Sequence, residues 1–157
     1  MTDDALVPPQ QRPDARRQEL GRYPFTVELQ TRWGDMDALH HLNNSALARY
    51  YEEARIRFLA HAQEGVPEPL RLMVGSLRLD YLRQAHHPAP ILAGVGIAGV
   101  GGASIRLLQA LFQQGACVGL ADVTLVCTSA DRSGPERVPD DWRARFDELA
   151  MRRPTAP

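Results

Sequence analysis

The feature that most constrains the fold is a single long amphipathic segment, residues 44–62, with strand-like segments on both sides of it. Its apolar residues recur at helical spacing and therefore share one face: Leu47, Tyr50, Tyr51, Ala54 and Phe58. Three favourable N-cap residues stand at its start, Asn43, Asn44 and Ser45. Gly65 and Pro67 follow its end. This pattern predicts one helix over residues 44–62.

The segments around this helix have the patterns of strands. Residues 25–33 alternate between apolar and polar side chains, with Phe25, Val27, Leu29, Thr31 and Trp33 on one face, which predicts a half-buried strand ending at Gly34. Residues 70–81 also alternate, but the phase changes at Gly75-Ser76, which predicts a bulged strand.

Three further strands and a second helix are predicted towards the C-terminus. Strand-like runs occupy about 91–100, about 103–113 and 116–128, and Gln113-Gln114-Gly115 is a plausible hairpin turn between the last two. The glycines of the first run and of the following turn suggest close backbone approach or bending. A short helix is predicted at roughly 139–151, with Trp142, Phe146 and Leu149 on one face.

This order of elements predicts an α+β fold, in which an antiparallel sheet of about five strands packs around one long central helix, with a short C-terminal helix. Residues 1–22 lack periodicity and are expected to form a disordered leader, and residues 23–157 a single domain. A sheet with one substantial helix leaves an edge open and part of a face uncovered. We therefore expect a homo-oligomer, a homodimer or a tetramer.

Composition excludes several classes of function. No apolar run approaches the roughly 18 residues of a membrane helix, and the acidic, proline-bearing N-terminus is unlike a signal peptide. Cys117 and Cys127 are expected to be buried thiols in a reducing compartment, so we expect a cytoplasmic protein. The net charge of −1 argues against nucleic-acid binding, and all 18 basic side chains are arginine, which excludes lysine-based chemistry.

Two aspartates, Asp35 and Asp37, lie between the first strand and the helix N-terminus, where unpaired backbone N–H groups and the helix dipole favour negative charge. An oxyanion would be stabilised at such a position. Aspartates are also common turn and capping residues, and their spacing alone favours that structural interpretation.

The surrounding block, residues 25–58, resembles the thioesterase branch of the hotdog superfamily, the group that includes 4-hydroxybenzoyl-CoA thioesterase. The resemblance rests on Asp35-Met36-Asp37, on the turn His41-Leu42-Asn43-Asn44, and on the aromatic pair Tyr50-Tyr51 followed by Glu52-Glu53-Ala54-Arg55. It implies a hotdog fold and the hydrolysis of an acyl-CoA thioester, with no cofactor other than CoA as part of the substrate.

The resemblance assigns the catalytic carboxylate to Asp37, as general base or as nucleophile, and the oxyanion donor to a backbone N–H near Asn44. Asp35 is expected to shape the turn. Asn43 and His41 are supporting candidates for substrate binding, and Arg83 and Arg106 are candidates for binding the nucleotide phosphates. No metal site is expected, because the adjacent His86 and His87 lack a further ligand pattern.

Other functions remain open at this stage. The family often places basic residues near the third and fourth strands, where this chain has Val100-Gly101-Gly102-Ala103-Ser104 with only Arg106 nearby. The acyl group could therefore arrive on an acyl-carrier protein, as in a polyketide-releasing thioesterase. A non-catalytic acyl-binding hotdog module and, ranked lower, a hotdog dehydratase are the remaining alternatives.

Overall fold

The computed structural model describes residues 13–131 and 133–153. Its helices and strands follow the predicted order: β1 (Phe25–Leu29), α1 (Asn44–Ala62), β2 (Leu72–Tyr81), β3 (Ile91–Val100), β4 (Ser104–Gln113), β5 (Ala116–Cys127) and α2 (Asp140–Glu148). The helix predicted over residues 44–62 is confirmed at both ends.

The five strands form one antiparallel sheet in the order β1-β3-β4-β5-β2, so β1 and β2 are its edges. Helix α1 packs against one face of this sheet, which contributes alternate residues of β3, β4 and β5 to the main core. This arrangement confirms the predicted α+β class and the hotdog fold.

The buried face of α1 forms the centre of the core. All five side chains assigned to that face from the sequence are buried, namely Leu47, Tyr50, Tyr51, Ala54 and Phe58. Burying a side chain such as Phe58, which is fully enclosed, stabilises the fold by roughly 1.5–3 kcal/mol relative to leaving it exposed. The position of α1 is therefore fixed mainly by packing against the sheet.

Two local features predicted from the sequence are also confirmed. The register of β2 against β5 shifts between Val74 and Ser76, which is the bulge expected at Gly75-Ser76. Gln114 and Gly115 both have positive φ, 50° and 81°, and they join β4 to β5 as a two-residue hairpin turn of type I′.

The first strand is shorter than predicted. It ends at Leu29, which pairs with Ile91, the first residue of β3, so no partner backbone continues beyond it. Pro90 precedes Ile91 and carries no N–H to extend the pairing. Beyond β1 the chain turns, and Trp33, expected on the buried face, is 72% exposed in a short 3-10 turn over Trp33–Asp35.

The second helix is also shorter than predicted. It ends at Glu148, because residues 149–151 pair with β3 instead of continuing the helix. Ile97 donates its N–H to the carbonyl of Leu149, and Met151 donates to the carbonyl of Ile97. Trp142 and Phe146 are buried as expected, and Leu149 packs partly buried against the same core.

Residues 13–22, which we expected to belong to a disordered leader, form two 3-10 turns, Ala15–Gln18 and Leu20–Arg22. Leu20 packs against the face of the sheet opposite α1, beside Tyr23 and Phe112. Arg17 also donates a hydrogen bond of 2.7 Å to the carbonyl of Ala121 on β5. These contacts explain why this stretch is ordered; residues 1–12 of the expected leader lie outside the described residues.

The exposed apolar side chains are concentrated on the edge strand β2. Four of the seven large hydrophobic residues that are exposed within residues 13–131 and 133–153 belong to it: Met73, Val74, Leu77 and Tyr81. Cys117 and Cys127 are free and buried, as predicted. No helix among the described residues is long and apolar enough to cross a membrane.

Candidate active site

The loop between β1 and α1 folds back on itself as a small hairpin. Met36 and Leu42 form an isolated antiparallel bridge, and Asp37 donates its N–H to the carbonyl of His41 at 3.0 Å. His40 closes this turn with a positive φ of 63° and donates its N–H to the carbonyl of Asp37. The hairpin thus brings the side chains of Asp37 and His41 to the same place.

Asp35 anchors this loop to helix α1. Its Oδ1 accepts a hydrogen bond of 3.0 Å from Arg49, and its Oδ2 accepts one of 2.5 Å from the hydroxyl of Tyr50 and one of 3.2 Å from the N–H of Arg32. The Asp35 carbonyl accepts a further bond, 2.9 Å long, from the N–H of Asn43. One residue therefore connects the segment that follows the first strand, the helix cap and the second turn of the helix.

The same contacts set the protonation of Asp35. Burial alone would raise the pKa of this carboxyl group, but the hydrogen bonds from Tyr50, Arg49 and the Arg32 N–H outweigh it and lower the pKa. Burial, followed by the adjacent Asp35 carboxylate, raises the pKa of Tyr50. Asp35 is therefore a fully hydrogen-bonded anion, which suits the turn-shaping role expected for it.

Asp37 is differently placed. Its Oδ1 accepts a hydrogen bond of 2.8 Å from the N–H of Leu39, whereas its Oδ2 lies 3.6 Å from Nδ1 of His41 and has no hydrogen-bond donor among the described residues. The Asp37 side chain is 27% exposed, compared with 12% for Asp35. Of the two carboxylates, Asp37 is the one with an oxygen available to a water molecule or a substrate.

The helix N-terminus beside this loop presents an unused backbone donor. Asn43 is the N-cap residue, and its side-chain oxygen accepts from the Ser45 N–H at 2.8 Å. Asn44 is exposed, and its N–H makes no hydrogen bond to any described residue. Unpaired N–H groups at a helix N-terminus, together with the helix dipole, favour a developing negative charge.

A shallow cavity of about 230 Å³ adjoins the helix N-terminus. Its walls combine the start of α1 with the segment that follows β2, and they include His41, Asn44, Leu47, Tyr81 and Arg83. Leu42 ties the two walls together by donating its N–H to the carbonyl of Ala85 at 2.7 Å. The structure thus brings His41, Asn44 and Arg83 to one cavity. Asp37 does not border this cavity, but its carboxylate lies 3.6 Å from His41, which does.

The two arginines proposed for phosphate binding border different cavities. Arg83 borders the cavity and donates to the carbonyl of Cys117 at 2.7 Å. Arg106 lies beside Leu108 on the face opposite α1, where its guanidinium forms a two-point pair with Asp122. The carboxylate of Asp122 thus already occupies the guanidinium of Arg106.

The loop that carries His86 and His87 contacts the hairpin of the site, and the sequence predicted only a loop there. Nδ1 of His86 lies 3.0 Å from the carbonyl of His40, and the ring of His86 contacts that of His41 edge-on. Gln113, at the end of β4, holds the loop by bonding both the N–H and the carbonyl of His86. These contacts join residues at least 27 positions apart, so no local pattern could have revealed them.

A larger cavity, of about 610 Å³, lies at the other end of the molecule. It is bordered by the segment after α1, by the end of β5 and by the start of α2, with Leu70, Arg71 and Trp142 among its walls. Neither Asp37 nor Asn44 reaches it. Within the described residues, no group of three or more His, Cys, Asp or Glu side chains could hold a metal ion.

Comparison with known proteins identifies the family. The model of the thioesterase-like superfamily matches residues 31–146, most of the chain, so this protein belongs to the thioesterase-like superfamily. No curated protein sequence matches the chain. The family supports thioester hydrolysis as the class of reaction.

Solved structures agree with this assignment. A thioesterase from Thermus thermophilus, solved in complex with coenzyme A and Zn, is 27% identical, with a TM-score of 0.73 over 82% of this chain and 95% of that one. A predicted thioesterase from Bacillus stearothermophilus is 21% identical, with a TM-score of 0.74 over 83% of this chain and 98% of that one, a likeness of fold. Both support the hotdog fold.

The Asp35 anchor has a measurable dependence on pH. Because the folded-state pKa of Asp35 lies below its ordinary value of 3.8, the anion stabilises the fold above that pH, and the contribution is lost as the pH falls through the folded-state pKa. We expect the free energy of unfolding of the wild type to fall more steeply, between about pH 5 and about pH 2, than that of Asp35→Asn. Denaturant unfolding across this range measures both slopes.

Two variants sharpen this measurement. Tyr50→Phe removes one donor to Asp35, so its slope should lie between those of the wild type and Asp35→Asn. Asp147→Asn makes the same substitution at an exposed position of α2 and is the matched control. Equal slopes for the wild type and Asp35→Asn would contradict the assignment of Asp35 as an anchoring anion.

Proposed function

We propose that this protein hydrolyses an acyl-CoA thioester to a free acid and CoA, with Asp37 as the catalytic carboxylate and the N–H of Asn44 as the oxyanion donor. The observation that carries the proposal is two unused hydrogen-bonding groups near one cavity, one on Asn44 in its wall and one on Asp37, which lies 3.6 Å from the wall residue His41. Asp37 has an oxygen without a donor, and Asn44 has an N–H without an acceptor, among the residues that the structure describes. The thioesterase-like family supports the class of reaction, and the relative solved with coenzyme A supports the choice of carrier.

The chemistry requires little more than this pair. The thioester carbonyl oxygen accepts a hydrogen bond from the Asn44 N–H. The dipole of helix α1 also stabilises the negative charge that develops on this oxygen. As a general base, Asp37 removes a proton from the water that attacks the carbonyl carbon. As a nucleophile, it forms a mixed anhydride that water then hydrolyses.

The leaving group explains why no strong general acid is needed. A thiol ionises near pH 8–9, taking the roughly 8.5 of a free cysteine as a guide, so the carbon–sulfur bond breaks to release a stable thiolate. His41, 3.6 Å from Asp37, is placed to orient the attacking water or the carboxylate. Positioning of the reactants supplies much of the remaining rate enhancement.

The carrier of the acyl group is the half of the substrate that the site constrains least, because Arg83 is the one arginine among the described residues that border the cavity. Three substrates with the same acyl group separate the possibilities: acyl-CoA, acyl-carrier protein and acyl-pantetheine. Release of free thiol from acyl-CoA with the highest kcat/KM supports the proposal. A clear preference for the carrier protein would replace CoA by that carrier and keep the chemistry.

The role of Asp37 is tested by Asp37→Asn, which preserves the side-chain shape and removes the negative charge. We expect kcat/KM to fall by about 10²–10⁴-fold, the usual contribution of a general base, while the folded structure is retained. Asp147→Asn, at an exposed position on α2, is the matched control and should retain full activity. A wild-type rate in Asp37→Asn, or no thiol release by the wild type from any acyl-CoA, would overturn the proposal and favour a non-catalytic acyl-binding module.

We also propose that two copies assemble through β2. This edge strand pairs only with β5 among the described residues, and it carries the exposed Met73, Val74, Leu77 and Tyr81. An unpaired, apolar strand edge is stabilised by pairing with a second strand. A two-fold axis through an antiparallel pair is the simplest way to satisfy both copies at once.

Such a pair would complete the substrate site. In an antiparallel pair, the Leu72 end of each strand lies beside the Tyr81 end of the other. Tyr81 borders the small cavity at the helix N-terminus, and Leu70 and Arg71, just before β2, border the large cavity. The dimer would therefore bring the small cavity of each copy near the large cavity of the other, which offers room for an acyl chain.

Leu77→Arg tests the dimer, because it places a charge at the middle of the exposed strand. We expect the sedimentation coefficient to fall from that of a dimer to that of a monomer, and thioesterase activity to fall with it. Leu77→Met is volume-conserving and should retain the dimer. A Leu77→Arg protein that sediments as the wild type does would contradict assembly through β2.

A further inference from the structure

The face of the sheet opposite α1 carries a third cavity, of about 400 Å³, that the proposed chemistry does not use. Its floor is formed by β2, β4 and β5, with Leu108 among its apolar walls, and one side is formed by residues 13–22. We call it the outer cleft. It is as large as many small-molecule sites, and it is bordered by five arginines and three aspartates: Arg16, Arg17, Arg22, Arg78, Arg106, Asp14, Asp80 and Asp122.

Each aspartate of the outer cleft already has its own arginine. Asp122 is held by Arg106, and Asp80 accepts from Arg78 at 3.1 Å. The third pair is exposed, with Asp14 bound by Arg16 at 2.6 Å. The three carboxylates are therefore matched, and the cations that remain are Arg17 and Arg22.

Arg17 and Arg22 hold buried donors that no described residue accepts. Nε of Arg17, and Nε and Nη1 of Arg22, are buried without a hydrogen-bond partner. Leaving a buried charged donor unpaired is unfavourable, so an acceptor that reached these nitrogens would stabilise them. Guanidinium groups remain charged at working pH and match the oxygens of a phosphate group.

The two arginines are held in place rather than being loose on the surface. Nη2 of Arg17 donates to the carbonyl of Ala121 at 2.7 Å, and the carbonyl of Arg17 accepts from the hydroxyl of Tyr23. The carbonyl of Arg22 accepts from the N–H of Arg152 at 2.8 Å. The backbones of both residues are thus fixed, and the guanidinium of Arg17 is also held through its Nη2.

The electrostatics of the cleft agree with an anion site. The hydrogen bond from Arg106, followed by the charges of Arg106, Arg17 and Arg78, outweighs burial and lowers the pKa of Asp122. A carboxyl group that sits in this cleft therefore experiences a net positive field. The five arginines and three aspartates that border the cleft leave it with two formal positive charges in excess.

We propose that the outer cleft is a binding site for the phosphate or diphosphate group of a small ligand, held by the guanidinium groups of Arg17 and Arg22. The site lies on the face of the sheet opposite the helix that carries Asn44, and its existence does not depend on the proposed thioesterase chemistry. Two sources could supply this group, namely an inorganic or metabolite phosphate and the nucleotide end of CoA itself.

The test is calorimetric titration of the full-length protein with inorganic pyrophosphate at fixed ionic strength, which holds non-specific screening constant. We expect saturable binding by the wild type, and a dissociation constant at least about tenfold higher in Arg22→Gln and in Arg17→Gln/Arg22→Gln. Arg57→Gln/Arg153→Gln removes the same number of charges from exposed positions outside the cleft and should bind as the wild type does.

A second readout guards against misfolding of a variant. Bound pyrophosphate should raise the melting temperature of the wild type, because a ligand that binds only the folded state stabilises it, and should leave that of Arg17→Gln/Arg22→Gln unchanged. Without ligand, the melting temperature of Arg17→Gln/Arg22→Gln should fall below that of the wild type only by the small amount expected for the lost hydrogen bond between Arg17 and Ala121. Arg22→Gln leaves that bond intact and removes two unpaired buried donors, so it should melt no lower than the wild type.

Competition identifies the source of the phosphate. If CoA displaces pyrophosphate while pantetheine does not, the cleft binds the nucleotide end of CoA, and Arg22→Gln should raise KM for acyl-CoA but not for acyl-pantetheine. If neither CoA nor pantetheine displaces pyrophosphate, the cleft binds a separate phosphate ligand. Arg22→Gln should then leave KM unchanged both for acyl-CoA and for acyl-pantetheine. Absence of saturable pyrophosphate binding, or equal affinity in the cleft variants and in Arg57→Gln/Arg153→Gln, would overturn the proposal.

Discussion

The geometry of the candidate site depends on the hydrogen bonds that the carboxylate of Asp35 accepts. This carboxylate accepts hydrogen bonds from the backbone of Arg32 and from the side chains of Arg49 and Tyr50, so the loop before α1 is fixed to the second turn of that helix. Hydrogen bonds to a charged group contribute about 1.5–3 kcal/mol each when they are buried, and less where the donor is exposed, as Arg49 is. With Asp35 held, the hairpin that follows brings the Asp37 carboxylate within 3.6 Å of His41, which borders the cavity at the helix N-terminus.

The two aspartates of this loop have different tasks: Asp35 holds the loop in place, and Asp37 is the proposed catalytic group. Asp35 uses both oxygens to hold the structure together, whereas Asp37 keeps one oxygen without a donor among the described residues. The neighbouring helix contributes the N–H of Asn44 at no cost in reorganisation, because the first backbone donors of a helix have no internal partner. A carboxylate and one backbone donor suit thioester hydrolysis, since the thiolate leaves without strong acid assistance.

Local patterns in the sequence were sufficient for much of the fold. The apolar spacing of α1, the phase change at Gly75-Ser76 and the Gln114-Gly115 turn are each determined by neighbouring residues, and all three were predicted correctly. The end of β1 was not, because it depends on where β3 begins, more than 50 residues later.

The candidate site was predictable to the same extent. The family motif indicated Asp37 and Asn44, but it could not show that Asp35 is bound by residues 14 and 15 positions away. Arg83 follows β2 and Arg106 lies on β4, and the sequence could not show that Arg106 is occupied by Asp122, 16 positions away. The burial of Arg17 and Arg22 against the outer face likewise depends on a long-range contact with β5.

The central claim, that Asp35 acts through the position of Asp37, is tested most directly by a double-mutant cycle on kcat/KM with Tyr50→Phe and Asp37→Asn. If the Tyr50 to Asp35 bond serves to place the Asp37 carboxylate, Tyr50→Phe should lower kcat/KM by about tenfold in the wild type and have almost no effect in Asp37→Asn. Equal losses in both backgrounds, or no loss in the wild type, would contradict the account.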